Sequence, residues 1–269
     1  MILTYEYFVD KLNEKIKTDS DFCYELLNTV IDNPHRYTGI FRLSNAKTKL
    51  VQNVTQSREI KFGDFMEDII TTYIAKMGYE NLSKNIGVDE QGNALSADQV
   101  FIKDDTVYLI EQKIRDDHDS TKKRGQYDNF RKKYRLLERR YPTKKINATM
   151  WFIDDSLVKN RKYYLAEKED EITPNRQINI YYGEALFDKL FQRLDVWNEL
   201  VSYLRANKLQ RNNEVISIPD FDTSDEMLVA LRRLKYEKPG KYSKLLSDKT
   251  EYIQLRDELF PERYNFKRI

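Results

Sequence analysis

The feature that most constrains the fold is a pair of short apolar runs separated by a charged turn, within residues 96–113. The first run is Val-Phe-Ile at 100–102, and the second is Val-Tyr-Leu-Ile at 107–110. The intervening Lys-Asp-Asp-Thr is typical of a tight turn, because aspartate favours turns and the flanking residues are apolar and β-branched. The sequence therefore predicts a β-hairpin whose second strand is a buried central strand of a sheet.

Charged residues stand at the open end of this predicted hairpin. Asp98 precedes the first run, and Glu111, Gln112 and Lys113 follow the second. A hairpin of this size brings Asp98 beside Glu111. Glu111 and Lys113 project to the same face, since they are two residues apart on a strand. We therefore predict that two carboxylates and one lysine converge on one point.

Such a trio is suited to metal-dependent hydrolysis of phosphodiesters. Mg²⁺ prefers hard oxygen ligands and is held by one or two carboxylates, with water and substrate phosphate completing its coordination. The metal lowers the pKa of a bound water and neutralises the leaving oxygen. The lysine can orient that water or stabilise the charged phosphorane. The alternative is a solvated hairpin end, since this spacing also arises by chance in a chain that is 33% charged.

The composition excludes several other kinds of site. A single cysteine, Cys23, excludes an internal disulfide framework and a multi-cysteine zinc site, and indicates the reducing cytoplasm as the location. Only two histidines occur, which argues against a His-rich metal site. No apolar run approaches the ~20 residues that cross a bilayer, and acidic residues interrupt the N-terminus. We therefore expect neither a membrane partner nor a signal peptide.

The formal net charge of +2 conceals a basic segment after the hairpin. Residues 122–145 contain eleven Lys or Arg and two acids, a density that can neutralise phosphates. Residues 115–125 have no apolar period and are predicted to form a loop near the substrate. A surface loop or a solvated helix face is the alternative. The candidate donors to phosphates or base edges are Arg115, His118, Ser120, Thr121, Lys122, Lys123, Arg124 and Gln126.

Periodicity assigns the remainder to an α/β core with helical additions. Helices are predicted within residues 4–31, 59–77, 126–141, 184–191 and 196–204 and in the tail, and strands at 148–153, 161–165 and 177–182. Residues 36–57 have no defensible period and are predicted to be irregular. We predict a central mixed β-sheet flanked by helices. The predicted segments are a helical region at 1–58, a catalytic core at 59–211 and a helical region at 212–269 that packs on the core.

These residues together resemble the PD-(D/E)xK nuclease superfamily and, within it, the type II restriction endonucleases. Asp98 matches the first acid of the motif, Glu111 the second and Lys113 the lysine, while Ala97 stands where the family name has proline. Glu67 matches the acidic residue that many members carry on the helix before the hairpin. The stretches KKRGQYDNF and INIYYGEALFDKL are also similar, and the resemblance covers residues 59–191.

The resemblance implies a restriction-endonuclease-like core and a homodimer that cleaves both strands of double-stranded DNA with Mg²⁺. Asp98, Glu111 and the backbone carbonyl of Gln112 would hold one or two Mg²⁺ ions. Lys113 would position or deprotonate the attacking water, and Glu67 would act from outside the ligand set. Two alternatives remain open. One is a structure-selective repair or nicking nuclease of the same superfamily, and the other is a DNA-binding protein without catalysis.

Overall fold

A computed structural model describes residues 1–16, 21–169, 176–211 and 217–269. The described residues form two compact units. Unit 1 comprises Met1–Leu12 and Gly63–Gln210, and unit 2 comprises Asn13–Phe62 and Arg211–Ile269. The predicted boundary at 212 falls on residues 212–216, which lie outside the described residues, so the three-segment division of the chain stays a prediction.

The secondary structure alternates helices and strands in the middle of the chain and is helical at both ends. The helices are α1 (Tyr5–Ile16), α2 (Phe22–Asp32), α3 (Ala46–Lys76), α4 (Ser120–Arg140), α5 (Arg161–Glu169), α6 (Leu194–Gln210), α7 (Asp225–Glu237), α8 (Pro239–Leu246), α9 (Thr250–Leu259) and α10 (Tyr264–Lys267). The strands are β1 (Glu80–Asn81), β2 (Asn85–Val88), β3 (Ala94–Ser96), β4 (Gln99–Lys103), β5 (Thr106–Lys113), β6 (Lys145–Phe152) and β7 (Arg176–Tyr182). A short 3₁₀ turn spans Pro34–Arg36, and a π-helical segment spans Leu186–Phe191.

The main sheet of unit 1 has, within the described residues, five strands in the order β1-β4-β5-β6-β7. β4 pairs antiparallel with both β1 and β5, whereas β6 runs parallel to both β5 and β7. β2 and β3 form a separate antiparallel pair. The predicted fold class is confirmed: the core is α/β, with a mixed sheet flanked by helices. β5 is central in this order, as predicted.

The predicted hairpin is formed by β4 and β5. Its register pairs Lys103 with Thr106 at the turn and Gln99 with Ile110 near the open end. Asp104 adopts a left-handed conformation, with φ of 52°, which aspartate tolerates better than most residues. The two-residue turn thus returns the end of β5 to the start of β4.

Both faces of the main sheet are covered. One face carries the buried side chains of Val107 and Leu109, which belong to the same apolar core as Tyr127 and Phe130 of α4. The opposite face is aromatic, with Tyr108 stacked on Phe101 at 5.0 Å between ring centroids. Alternate side chains of a strand point to opposite faces, so the positions 107, 109, 111 and 113 all face α4. Glu111 and Lys113 therefore lie on the same face of the sheet, the one that α4 covers.

Two segments predicted without regular structure are helical at least in part. The loop prediction for residues 115–125 is wrong beyond Asp119, because α4 begins at Ser120. Asp119 caps this helix, and its Oδ1 accepts from the Lys122 N–H at 2.8 Å. Similarly, residues 46–57 belong to α3, and Asn45 accepts from the Thr48 N–H at 2.9 Å. The first turns of α4 have few apolar residues, which is why periodicity did not reveal them. In α3, by contrast, Ala46, Leu50 and Val54 are buried at four-residue spacing, a helical signal that the sequence contained.

One further prediction was wrong in type. Residues 161–165 were predicted as a strand and form the start of α5, where Tyr164 is fully buried. Asn160 and Tyr164 are both buried and lie four residues apart, with more exposed residues between them, which is a helical spacing of burial. Residues 184–191 were predicted to be helical, which agrees with the structure, where the segment Leu186–Phe191 is π-helical.

Unit 2 is helical around a core of its own. Leu27 and Val30 of α2 pack in one cluster with Leu231 of α7 and Leu255 of α9. The helical tail agrees with the prediction, and Pro239 begins α8, where its missing N–H carries little penalty. No helix in the described part of the chain combines the length and the apolar character that crossing a membrane requires.

Candidate active site

The structure brings Asp98, Glu111 and Lys113 together at the open end of the hairpin. The Nζ of Lys113 lies 2.8 Å from Glu111 Oε1 and 3.4 Å from Asp98 Oδ2. The same Nζ lies 2.9 Å from the backbone oxygen of Gln112. Asp98 Oδ2 also accepts from the Gln112 N–H at 2.7 Å, which ties the start of β4 to the end of β5. Three oxygens from three residues therefore surround one cationic nitrogen.

These three oxygens are a suitable donor set for a hard divalent cation. They comprise two carboxylates and one carbonyl, and Mg²⁺ commonly takes one or two carboxylates while keeping several waters. Their simultaneous approach to the Lys113 ammonium demonstrates that they can reach a single positive charge together. Among the described residues, no group of three or more His, Cys, Asp or Glu side chains could hold a metal ion. Binding of a divalent cation at this site therefore requires the Gln112 carbonyl as the third ligand, in addition to the carboxylates of Asp98 and Glu111.

Lys113 is electrostatically matched to the two carboxylates. Burial lowers its pKa, but the negative charges of Glu111 and Asp98 and the hydrogen bonds to them more than compensate, so the pKa of Lys113 lies above its ordinary value. The side chain therefore stays protonated near neutral pH and acts as a donor. Its charge offsets the repulsion between the two carboxylates that it joins.

A second lysine, which the sequence interpretation missed, binds the other oxygen of Glu111. Lys133 of α4 donates to Glu111 Oε2 at 2.6 Å, and the exposed fractions of the two side chains are 6% and 5%. Lys133 is buried with the apolar residues of this helix and does not lie on its solvated face. It follows Phe130 by three residues and precedes Leu137 by four, so helical spacing places it on the buried stripe. The sequence contained this signal.

Glu67 lies beside this cluster, on α3, and is held by another lysine. Its Oε1 accepts from Lys84 at 2.5 Å. Burial raises the pKa of Glu67 and the charge of Asp98 adds to the rise, whereas the hydrogen bond to Lys84 works in the opposite direction. Gln99 of β4 donates to the Glu67 backbone oxygen at 2.7 Å, which fixes this turn of α3 against the sheet. Lys84 stands in a segment without an apolar period, so no sequence signal indicated it.

The predicted DNA-contacting residues occupy one continuous stretch that leaves β5. Arg115 and His118 lie on the connection to α4, where Arg115 is exposed and His118 is partly buried. His118 Nδ1 stands 3.6 Å from Asp117 Oδ1. Burial lowers the pKa of His118, and the positive charge of Lys122 lowers it further. His118 is therefore neutral near pH 7.

The other predicted contact residues lie on the first two turns of α4 instead of in a loop. Ser120, Thr121, Lys122 and Arg124 are exposed. Lys123 lies over the ring of Tyr163, with its Nζ 4.6 Å from the centroid. Gln126 accepts from the Tyr164 hydroxyl at 3.2 Å. Four of these six side chains thus face solvent, while Lys123 and Gln126 contact α5.

Asp116 anchors the connection between β5 and α4. It is fully buried, and its Oδ2 accepts from the Asn160 N–H at 2.9 Å and from the Tyr182 hydroxyl at 2.8 Å. Its Oδ1 accepts from Asn160 Nδ2 at 2.8 Å. Burial, together with the hydrogen bond to Asp116, raises the pKa of Tyr182, so that the hydroxyl remains a donor. The connection is therefore fastened to α5 and β7.

We predict that Asp116→Ala destabilises the protein by about 3 kcal/mol or more, because it leaves three buried donors without an acceptor. Urea unfolding monitored by circular dichroism measures this change. Asp117→Ala is the matched control, since Asp117 is the exposed neighbour, and substitutions at such positions change stability by about 0.5 kcal/mol or less. Equal stability of the two variants would contradict an anchoring role.

The architecture and the site define a class of protein. A five-stranded mixed sheet flanked by helices is a restriction-endonuclease-like fold, and acidic residues and a lysine stand at the end of its central strand. A family model described as "Type II restriction endonuclease, HinfI" matches residues 5–91 and 81–208, which is more than half of the 269 residues. The chain belongs to this HinfI family of type II restriction endonucleases. None of the curated proteins compared with the chain matches it.

Membership of this family confirms the predicted class of enzyme. Type II restriction endonucleases are site-specific deoxyribonucleases, so the chain is a hydrolase that acts on DNA. Membership of the family likewise confirms the prediction that the chain binds DNA.

Proposed function

We propose that this DNA endonuclease depends on Mg²⁺, recognises a short double-stranded site as a homodimer and serves restriction-modification defence. The observation that carries the proposal is the convergence of Asp98 Oδ2, Glu111 Oε1 and the Gln112 carbonyl on one cationic point. Hard oxygen ligands at the end of a central strand suit a metal ion that shares its coordination with a phosphate.

Each residue of the site would contribute a distinct part of the chemistry. Asp98, Glu111 and the carbonyl of Gln112 would hold the metal, which when bound lowers the pKa of a coordinated water and neutralises negative charge. Lys113 stays protonated, so we assign it to orienting the attacking water and stabilising the phosphoryl oxygens through hydrogen bonds. Attack in line with the scissile bond leaves a 5′-phosphate and a 3′-hydroxyl. Glu67 would act indirectly, by holding the Lys84 ammonium beside the site.

The stretch from Arg115 to the second turn of α4 would contact the DNA. Lys122 and Arg124 are exposed and basic, and Ser120 and Thr121 add hydroxyl donors near the helix N-terminus, where phosphates bind favourably. Lys123, Gln126 and His118 border this surface and remain proposed contacts. Because Asp116 fastens the connection, the contact surface would keep a fixed distance from the cutting residues.

Plasmid digestion tests the proposed function. With Mg²⁺ we expect discrete fragments of double-stranded DNA, and with excess EDTA we expect no scission while DNA binding persists. Sequencing the fragment ends would give the site and the stagger of the cut. Scission that survives chelation would contradict the metal requirement, and products that are only nicked would indicate a nicking enzyme. Light scattering tests the dimer, which has twice the 32.3 kDa mass of the chain.

A further inference from the structure

We propose that Lys133 is a positioning residue that orients Glu111 as a metal ligand, an inference that rests on the proposed function. Its ammonium would hold one oxygen of the Glu111 carboxylate so that the other is left to bind the metal. Lys133 lies on α4, 22 residues beyond Glu111, and the two meet only because α4 packs across the end of β5.

The pairing is specific because both partners are buried. A lysine and a glutamate with exposed fractions of 6% and 5% have little access to water, and burying either charge without a partner is unfavourable. The ammonium donates to Glu111 Oε2 at 2.6 Å, a short charge-assisted hydrogen bond. Glu111 cannot rotate its carboxylate freely without breaking this contact.

The two oxygens of Glu111 are therefore assigned to different partners. Lys133 holds Oε2, while Oε1 points to Lys113, at the point where Asp98 and the Gln112 carbonyl also converge. Lys113 is more exposed, at 24% of its side chain, so it can swing outward when a metal ion arrives. Lys133 is buried, so it keeps its contact with Glu111 Oε2. Lys133 thus fixes a single oxygen of Glu111 toward the metal.

Without Lys133, the ammonium of Lys113 would be the strongest partner left for the buried carboxylate. Glu111 would then turn both oxygens toward Lys113, and a metal ion would have to compete with that tighter pair. Groups that orient metal ligands typically change metal affinity or activity by about 10–100-fold when they are removed. We expect Lys133→Met, whose unbranched side chain is one atom shorter and carries no charge, to weaken Mg²⁺ binding by about that factor.

The measurement is calorimetric titration of Mg²⁺ into the full-length protein without DNA. Lys132→Met is the matched control, because it removes the same charge from the same helix, but Lys132 is half exposed and faces Asp89 at 3.7 Å. We expect the control to bind Mg²⁺ like the wild type. Lys133→Gln is a milder second variant, and we expect it to weaken binding in the same direction. Affinity equal to or higher than wild type in either folded Lys133 variant would overturn the proposal.

Thermal unfolding gives a readout that does not involve metal or DNA. Removing one member of a buried ion pair should lower Tm by about 10 °C in Lys133→Met. The double variant Glu111→Gln/Lys133→Met should lose less than the sum of the two single variants, because neither charge is left alone. Additive losses would contradict the pairing on which the proposal depends.

The outcomes separate this proposal from the proposed function. If the wild type binds Mg²⁺ and Lys133→Met binds it equally well, the positioning role is wrong and the metal site is unaffected. If the wild type itself binds no Mg²⁺ and its scission survives chelation, the proposed metal dependence fails, and the role of Lys133 fails with it.

Discussion

Lys113→Ala is expected to reduce DNA cleavage by about 10²–10⁴-fold, the range seen when a donor or proton-transfer group is removed from an active site. Lys113 is the group that contacts all three oxygens of the candidate metal site, and its charge offsets both carboxylates. DNA binding should persist, because the exposed basic turns of α4 are unchanged. The cleavage rate and the binding affinity of the variant and the wild type are measured on the same DNA fragment.

The control for this prediction is Lys103→Ala. Lys103 stands at the opposite end of the same hairpin, beside the ring of Tyr79, and is exposed. We expect it to cleave DNA at the wild-type rate. Cleavage by Lys113→Ala at the rate of this control would remove Lys113 from the catalytic residues. Loss of binding together with cleavage would instead assign Lys113 to DNA contact.

Asp98→Ala is expected to abolish metal-dependent cleavage and to weaken Mg²⁺ binding. The loss of affinity should exceed the factor of about 10–100 that is typical when a residue that only orients a metal ligand is removed. Asp98 supplies one of two carboxylates, and removing it leaves Glu111 and a neutral carbonyl. Asp98→Asn is the informative companion, because its side-chain oxygen can still accept from the Gln112 N–H while its negative charge is lost. Titration with Mg²⁺ measures the affinity of each variant, and its circular dichroism spectrum shows whether the variant is folded.

Asp105→Asn serves as the control for the aspartate variants, since Asp105 is exposed at the hairpin turn and pairs with Lys144. Its affinity for Mg²⁺ should equal that of the wild type. Normal affinity in Asp98→Asn together with weak binding in Asp98→Ala would indicate that Asp98 shapes the hairpin end and does not ligate the metal through its charge.

The parts of the site that the sequence predicted are those formed by neighbouring residues. The approach of Asp98 to Glu111 follows from the length of the hairpin, and the shared face of Glu111 and Lys113 follows from strand geometry. Both are local consequences of a two-residue turn. The central position of β5 was predictable as well, because its uninterrupted apolar run needs cover on both faces.

The parts that were not predicted depend on contacts between distant elements. Lys84 binds Glu67, which lies 17 residues earlier on α3, and Asp116 binds Asn160 and Tyr182 across more than forty residues. Single-residue patterns carry no information on such pairs. The mistaken strand at 161–165 has the same origin, because α5 is short and is fixed at its start by the contact between Asn160 and Asp116.

We expect the Lys133–Glu111 pair to form late in the assembly of the site. The hairpin closes a very short loop and can form within microseconds, whereas the parallel pairing of β5 with β6 must wait for the whole α4 crossover. Within the hairpin itself, Asp98 and Glu111 have one ammonium partner, that of Lys113, which leaves one negative charge in excess. Docking supplies the second ammonium and removes Glu111 from water in the same event. We therefore expect a chain in which the hairpin has formed without α4 to hold its two acids in a different electrostatic state from the native enzyme.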